Sequence, residues 1–130
     1  MSLRRRMAAM AAPMLIAAVA HAHHGPYGQF DLDNRVDFIG TVVTVEWKNP
    51  HALLLVAAEL NGRQAIYRIE LKSLRQLVRR GWQGDELKPG DPVHIVNAAL
   101  DTTGDSTLVC CARIYDLAGH EFFTTSGQLE

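Results

Sequence analysis

The feature that most constrains the fold is a hydrophobic pattern of period two that begins at Val36 and recurs along the chain. Its first segment, Val36 to Trp47 (VDFIGTVVTVEW), is rich in β-branched and aromatic residues and predicts a long strand. Gly40 stands at a point where such a strand would bulge or bend. A chain with this pattern is expected to be mainly β.

Two further strands follow a corner. The K-N-P-H segment turns the chain, because Pro50 cannot donate a hydrogen bond to a ladder. A second strand, Ala52 to Leu60, ends at Asn61-Gly62, which is a strong signal for a two-residue hairpin. The third strand is expected from Gln64 to Leu71. Together the three strands predict a meander.

The pattern changes to a helical one between Ser73 and Arg80 (SLRQLVRR). Leu74, Leu77 and Val78 have the spacing of one apolar helix face, with Ser73 as N-cap and Gly81 as the C-terminal stop. The two arginines at positions 79 and 80 occupy the last turn, where the helix dipole favours cations. We interpret them as a solvated helix end.

The remaining segments return to strands. They run from Pro92 to Leu100, from Thr107 to Asp116, and from Glu121 to Thr124 after a turn at Ala118-Gly119. Three strands, a helix and two strands is the element order of the five-stranded OB barrel. We therefore predict an OB-like five-stranded barrel with one short helix between strands 3 and 4 and a C-terminal hairpin. A split sheet or sandwich with one helix is the alternative.

The N-terminus has the parts of a secretory signal. A basic segment (Arg4 to Arg6) precedes an apolar run from Met7 to Ala20, and A-H-A at 20–22 fits the small-x-small cleavage rule. The apolar run is shorter than the ~20 residues that span a bilayer. We predict a signal peptide (1–22), an N-terminal arm (23–35), the barrel domain (36–124) and a tail (125–130), with a periplasmic or secreted product. An uncleaved anchor is the alternative.

Cleavage changes the charge balance. Without residues 1–22 the chain has 10 Lys and Arg against 14 Asp and Glu, a net charge of about −4. Such a balance provides no basic footprint for nucleic acid or for anionic lipid headgroups. No second long apolar run follows, so no stable membrane span is expected after cleavage.

Two cysteines are adjacent, at Cys110 and Cys111. Neighbouring side chains of a regular strand point to opposite faces, so an ordinary disulfide cannot form between them. A vicinal disulfide would disrupt the ladder. We favour one buried and one half-exposed thiol over that bond and over a redox or Cu(I) role.

Four motifs carry a resemblance to a known family: A-H-H at 22–24, E-W-K-N-P-H at 46–51, R-R-G-W at 79–82 and L-K-P-G-D at 87–91. In these the chain resembles a family of small exported bacterial proteins known as domain of unknown function 6152, over nearly all of residues 22–123. The resemblance implies export and a compact β-rich domain, and it transfers no activity. The chain departs from the family pattern at two points. Gly25 stands where family members more often have Ser, and Cys110-Cys111 lie in a segment where members more often have a polar residue.

The processed terminus predicts a metal site. Cleavage after Ala22 would leave His23 with a free α-amine beside its imidazole, a chelating pair that suits copper when another imidazole completes the set. His24 adds a nitrogen, and His51 is the best further ligand because the corner at Pro50 fixes its position. We predict copper binding by His23, His24 and His51, with zinc as the alternative metal.

Other side chains are weaker candidates. His94 alternates with apolar neighbours and is expected to be a solvated strand residue, while His120 is expected in a turn. Asp31 and Asp33 could act as carboxylate ligands or could orient the histidines.

Two other functions are alternatives to metal binding. No nucleophile motif or P-loop occurs, so an enzyme is not favoured, although a copper-dependent oxidase would use the same terminus. A periplasmic binding module for a protein or glycan partner is the rival function. It would use the face of strands 2 and 3, where A-L-L-L-V-A-A is either buried on both sides or covered by a partner. We expect this strand to be buried under the helix and the N-terminal arm, and Trp47 and Trp82 to be core or corner residues.

Overall fold

Residues 28–124 are described by a computed structural model, and they form seven strands and one helix. The elements, in chain order, are β1 (Val36–Glu46), β2 (Leu53–Leu60), β3 (Arg63–Glu70), α1 (Leu74–Arg79), β4 (Pro92–Leu100), β5 (Leu108–Cys110), β6 (Arg113–Tyr115) and β7 (Glu121–Thr124).

Five of the strands close into a barrel. The pairing order is β1-β2-β3-β5-β4, and β4 pairs back with β1 to complete the circle. Only the β3–β5 pair is parallel. Strands β6 and β7 extend the sheet from β4. The prediction of an OB-like barrel with a helix between strands 3 and 4 is confirmed, and the sandwich alternative is excluded because the sheet closes on itself.

The long strand β1 belongs to both halves of the barrel, and Gly40 is the point where it changes neighbours. Gly40 is opposite Ala58 of β2 and also opposite Val93 of β4. A Cβ atom there would lie 2.4 Å from Val56 Cγ1 and 2.7 Å from the carbonyl oxygen of Ala57. Glycine is therefore required by the close approach of β2, as the predicted bend suggested.

The β2–β3 hairpin turns at Asn61 and Gly62, both with positive φ (52° and 76°), as a type I′ turn requires. The register runs without interruption from Leu60 opposite Arg63 to Leu53 opposite Glu70. The two-residue turn sets this register along the whole hairpin.

The helix α1 is capped as predicted. Ser73 and Gln76 form a reciprocal capping box, and Gly81 follows the helix with a φ of 88°. Leu77 is fully buried, but Val78 is 59% exposed, so its expected place on the apolar face is wrong. A six-residue helix rests on the barrel along one narrow edge, and Val78 lies about 100° around the axis from Leu77.

The strand predicted from Thr107 to Asp116 is two strands. Cys110 and Cys111 form a disulfide, and Cys111 has a φ of 64°. Cys110 is buried and Cys111 half-buried, as expected, but the expectation of unbonded thiols is wrong. The bond between neighbours ends β5, and β6 begins beyond it at Arg113.

The interior of the barrel is filled by one largely aliphatic cluster that also includes the buried rings of Phe38, Tyr67 and Trp82. Trp82 is 6% exposed within this cluster, and Trp47 packs against it from the corner. The Trp47 ring lies over Gly84, where an added Cβ would be 3.0 Å from Trp47 Cδ2. Both tryptophans are core or corner residues, as predicted. The largest fully buried side chains are Leu54, Ile69, Leu77, Ile95, Ile114, Val56, Val93 and Val109.

Candidate functional site

Of the three predicted metal ligands, only His51 lies among the described residues. His23 and His24 precede Gly28 and fall outside them. The described part of the candidate site therefore consists of His51, its neighbours and the N-terminal arm from Gly28 onward.

His51 lies at the corner between β1 and β2, next to the cis peptide bond that joins Asn49 and Pro50. Its side chain is 50% exposed, and its Nδ1 atom is 3.8 Å from Oε1 of Glu70. An imidazole in this position is open to a ligand from solvent. A carboxylate beside one ring nitrogen can select the tautomer that leaves the other nitrogen free.

Glu70 is the site residue that the sequence reasoning missed. It is opposite Leu53 in the β2–β3 register, which places it diagonally across from His51. The signal was present in the sequence, because the Asn-Gly turn determines which residues face each other along the hairpin. Extending the register from the turn to the corner would have identified the pair.

The described start of the arm is anchored at the end of β4. Phe30 forms a bridge with Asp101, the Asp31 amide donates to the Leu100 carbonyl (2.9 Å), and the Thr102 amide donates to the Gln29 carbonyl (2.8 Å). Gln29 Nε2 also donates to Asp101 Oδ2 at 2.8 Å. These bonds hold residues 29–31 against the outside of the barrel.

The arm packs on the outer face that also carries His51. Phe30 is 6% exposed and forms a small cluster with Ala99 and Cys110. The pairs Arg68–Leu108 and Ile69–Val109 align β3 with β5, so the next residues along, Glu70 and Cys110, are neighbours one strand apart. Strands are separated by about 4.8 Å. Strands β4, β5 and β3, with Cys110 and Glu70 on their outer face, therefore separate the arm from His51.

The two aspartates of the arm have different roles. Both carboxylate oxygens of Asp31 accept hydrogen bonds from Asn34, and Oδ1 also accepts from the Asp33 amide at 3.2 Å. Hydrogen bonds from the Asn34 side chain and backbone lower the pKa of Asp31. Asp31 thus closes a local turn, and Asp33 is exposed.

The other two histidines among the described residues lie in β4 and in the turn before β7. His94 is half-buried in β4 opposite Tyr115, with its neighbours Val93 and Ile95 buried, as alternation predicted. His120 is exposed in the turn before β7, where its amide donates to Asp116 Oδ1 at 2.8 Å.

Within residues 28–124, no three His, Cys, Asp or Glu side chains are grouped closely enough to hold a metal ion. The same range has no helix with the length and apolar character needed to cross a membrane.

A shallow depression lies on the outer face of β1, β2 and β3. Its volume is about 600 Å³, and its rim includes Ile39 and Ile66, which are 59% and 49% exposed. Ala57 of β2 is exposed between them. No described residue of α1 or of the arm lines the depression, and the arm before Gly28 lies outside the described residues.

Comparison with protein families gives one match. The model of the "Family of unknown function (DUF6152)" matches residues 12–107, which is most of the chain. No curated protein and no solved structure matches it.

Proposed function

The chain belongs to the family of unknown function DUF6152, and from that premise we propose that it is an exported protein that binds a transition metal, copper first, through His23, His24 and His51. The proposed product is periplasmic or secreted and begins at His23.

The chemistry follows from the new terminus. A free α-amine has a reference pKa near 8 and an imidazole one near 6.5, so both lose their protons at neutral pH at little cost. Amine and imidazole nitrogens of one residue can close a chelate ring, and a further imidazole completes a set that favours Cu(II). Zinc accepts the same nitrogens and is the alternative metal.

The observation that supports the proposal is the position of His51. This half-exposed imidazole stands on the outer face over which the anchored arm begins. The four peptide units between His24 and Gly28 can extend at most about 14 Å. The described start of the arm lies beside Thr102, so this segment would have to carry the terminus across β4, β5 and β3 to His51.

Glu70 has a positioning role in this proposal. When its carboxylate accepts a hydrogen bond from His51 Nδ1, the Nε2 atom points its lone pair away and is free to bind the metal. For this hydrogen bond the 3.8 Å between His51 Nδ1 and Glu70 Oε1 would have to shorten to about 3 Å.

The test is a Cu(II) titration of protein that begins at His23, followed by calorimetry and electron paramagnetic resonance at pH 7. We expect one tight equivalent, which is lost when a Met precedes His23. His51→Ala should weaken binding, whereas His94→Ala, which removes another half-exposed imidazole, should not. Glu70→Gln should weaken binding about 10- to 100-fold, the range for residues that orient a ligand. Binding that ignores both the added Met and His51→Ala would contradict the proposal.

The rival function, a binding module for a protein partner, is supported by the depression on β1 to β3. Exposed Ile39 and Ile66 flank it, and no aromatic ring that could stack on a glycan lines it. Crosslinking in the exporting cell, with Ile66→Ser compared with Val78→Ser, separates the two functions. Adducts that vanish only with Ile66→Ser, from a protein that does not bind copper, would favour the partner.

A further inference from the structure

Lys72 is a buried cation without a partner. The residue is 5% exposed, and its Nζ atom has no hydrogen-bond partner. The other two lysines among the described residues, Lys48 and Lys88, are exposed. An ammonium group in a buried position is costly unless it is paired.

The burial of Lys72 follows from a local irregularity of the backbone. Beyond the end of β3, the Leu71 amide donates to the Ala52 carbonyl (2.9 Å), whereas the Ala52 amide donates to the Lys72 carbonyl (3.1 Å). Two residues thus face one across the ladder, as in a bulge. Regular alternation would bury Leu71 and expose Lys72, but here both are buried.

A second cation, Arg80, makes the charged form of Lys72 still less favourable. The Arg80 guanidinium, at the C-terminal end of α1, is close enough to repel the Lys72 ammonium, and burial together with this repulsion lowers the pKa of Lys72. The two groups come from opposite ends of the six-residue helix. An anion near both would supply the missing partner of Lys72 and would relieve the repulsion.

We infer that Lys72, assisted by Arg80, forms a binding site for a small oxyanion, a carboxylate or a phosphate, at the α1 end of the barrel. Lys72 supplies an ammonium shielded from water, where a charge-assisted hydrogen bond is strong. Arg80 is exposed at the C-terminal end of α1. The buried position of Nζ restricts the ligand to a small group. None of the proposed copper ligands His23, His24 and His51 is a member of this site.

The experiment uses protein that begins at His23, in buffers freed of metal by a chelating resin. Inorganic phosphate and acetate are titrated separately at constant ionic strength, with chloride as the exchanged anion. Amide resonances of residues 72, 73 and 80 and the Tm are followed. We expect a saturable shift in the wild type with at least one anion, and the one that binds more tightly identifies the preferred class.

Lys72→Met and Lys88→Met are the matched variants. We expect Lys72→Met to weaken binding about tenfold or more and Lys88→Met to bind as the wild type does. A general salting effect of phosphate would raise the Tm of all three proteins equally, and that outcome would overturn the inference. Amide shifts of the wild type that do not saturate with either anion would also overturn the inference. This result does not depend on whether Lys72→Met folds.

Discussion

Gly40→Ala tests the closest approach of two strands in the barrel. The added Cβ would lie 2.4 Å from Val56 Cγ1, 2.7 Å from the Ala57 carbonyl oxygen and 2.9 Å from Ala58 Cβ. Carbon atoms in contact are normally about 3.5–4.0 Å apart, so the overlap exceeds about 1 Å. Val56 is fully buried and the Ala57 oxygen belongs to the backbone, so β1 and β2 must separate.

Overpacking of this kind costs about 1–3 kcal/mol, and a clash with backbone favours the upper end. A smaller opposing effect of about 0.4–1 kcal/mol comes from the reduced entropy of the unfolded chain. We expect Gly40→Ala to lower the free energy of unfolding by about 2 kcal/mol. For a domain of this size that corresponds to a fall in Tm of roughly 10 °C.

Urea denaturation followed by tryptophan fluorescence measures the effect. Gly28→Ala is the control, because an added Cβ there has no atom within 4 Å and the φ of Gly28 is not positive. The control should be neutral or slightly stabilising. If the free energy of unfolding of Gly40→Ala were within about 0.5 kcal/mol of the wild-type value, β1 and β2 could not approach as closely as described.

Three further predictions concern ionisation and the cysteines. Because burial and the Arg80 guanidinium lower the pKa of Lys72 in the folded state, the unfolded chain binds the extra proton between that lowered pKa and 10.5. The stability of the wild type relative to Lys72→Met should therefore rise with pH across that range, and a flat difference would contradict it. Hydrogen bonds, led by the one from Gln29, lower the pKa of Asp101 below 3.8. The stability this carboxylate contributes should be complete above pH 3.8 and lost as pH falls through the lowered value, so acid denaturation should show a smaller pH dependence in Asp101→Asn. Protein purified without reductant should have no reactive thiol in denaturant and two after reduction at Cys110 and Cys111, counted with Ellman's reagent; thiols present before reduction would show that the bond is absent.

Local signals in the sequence were strong where a few neighbouring residues decide the structure. The Asn61-Gly62 turn, the N-cap at Ser73 and the bend at Gly40 were all predicted correctly, because each depends on backbone preferences or on side chains within one turn. The order of these elements was enough to predict the barrel topology.

The candidate site was predicted only in part. His51 could be chosen from its corner, but Glu70 beside it is 19 positions away in the sequence and is identified only through the hairpin register. The assignment of His23 and His24 lies outside the described residues and stays a prediction.

The sequence by itself determined the β-rich class, the helix, most of the strands and the tight turns, because periodicity and turn chemistry are local properties of the chain. Only the tertiary structure decided which face of β2 points outward, since a strand that is apolar at nearly every position has no alternation to read. It also decided that Lys72 is buried and that the cysteine pair divides a strand. These outcomes depend on how the backbone departs from regular pairing where distant segments meet, and no single segment encodes that departure.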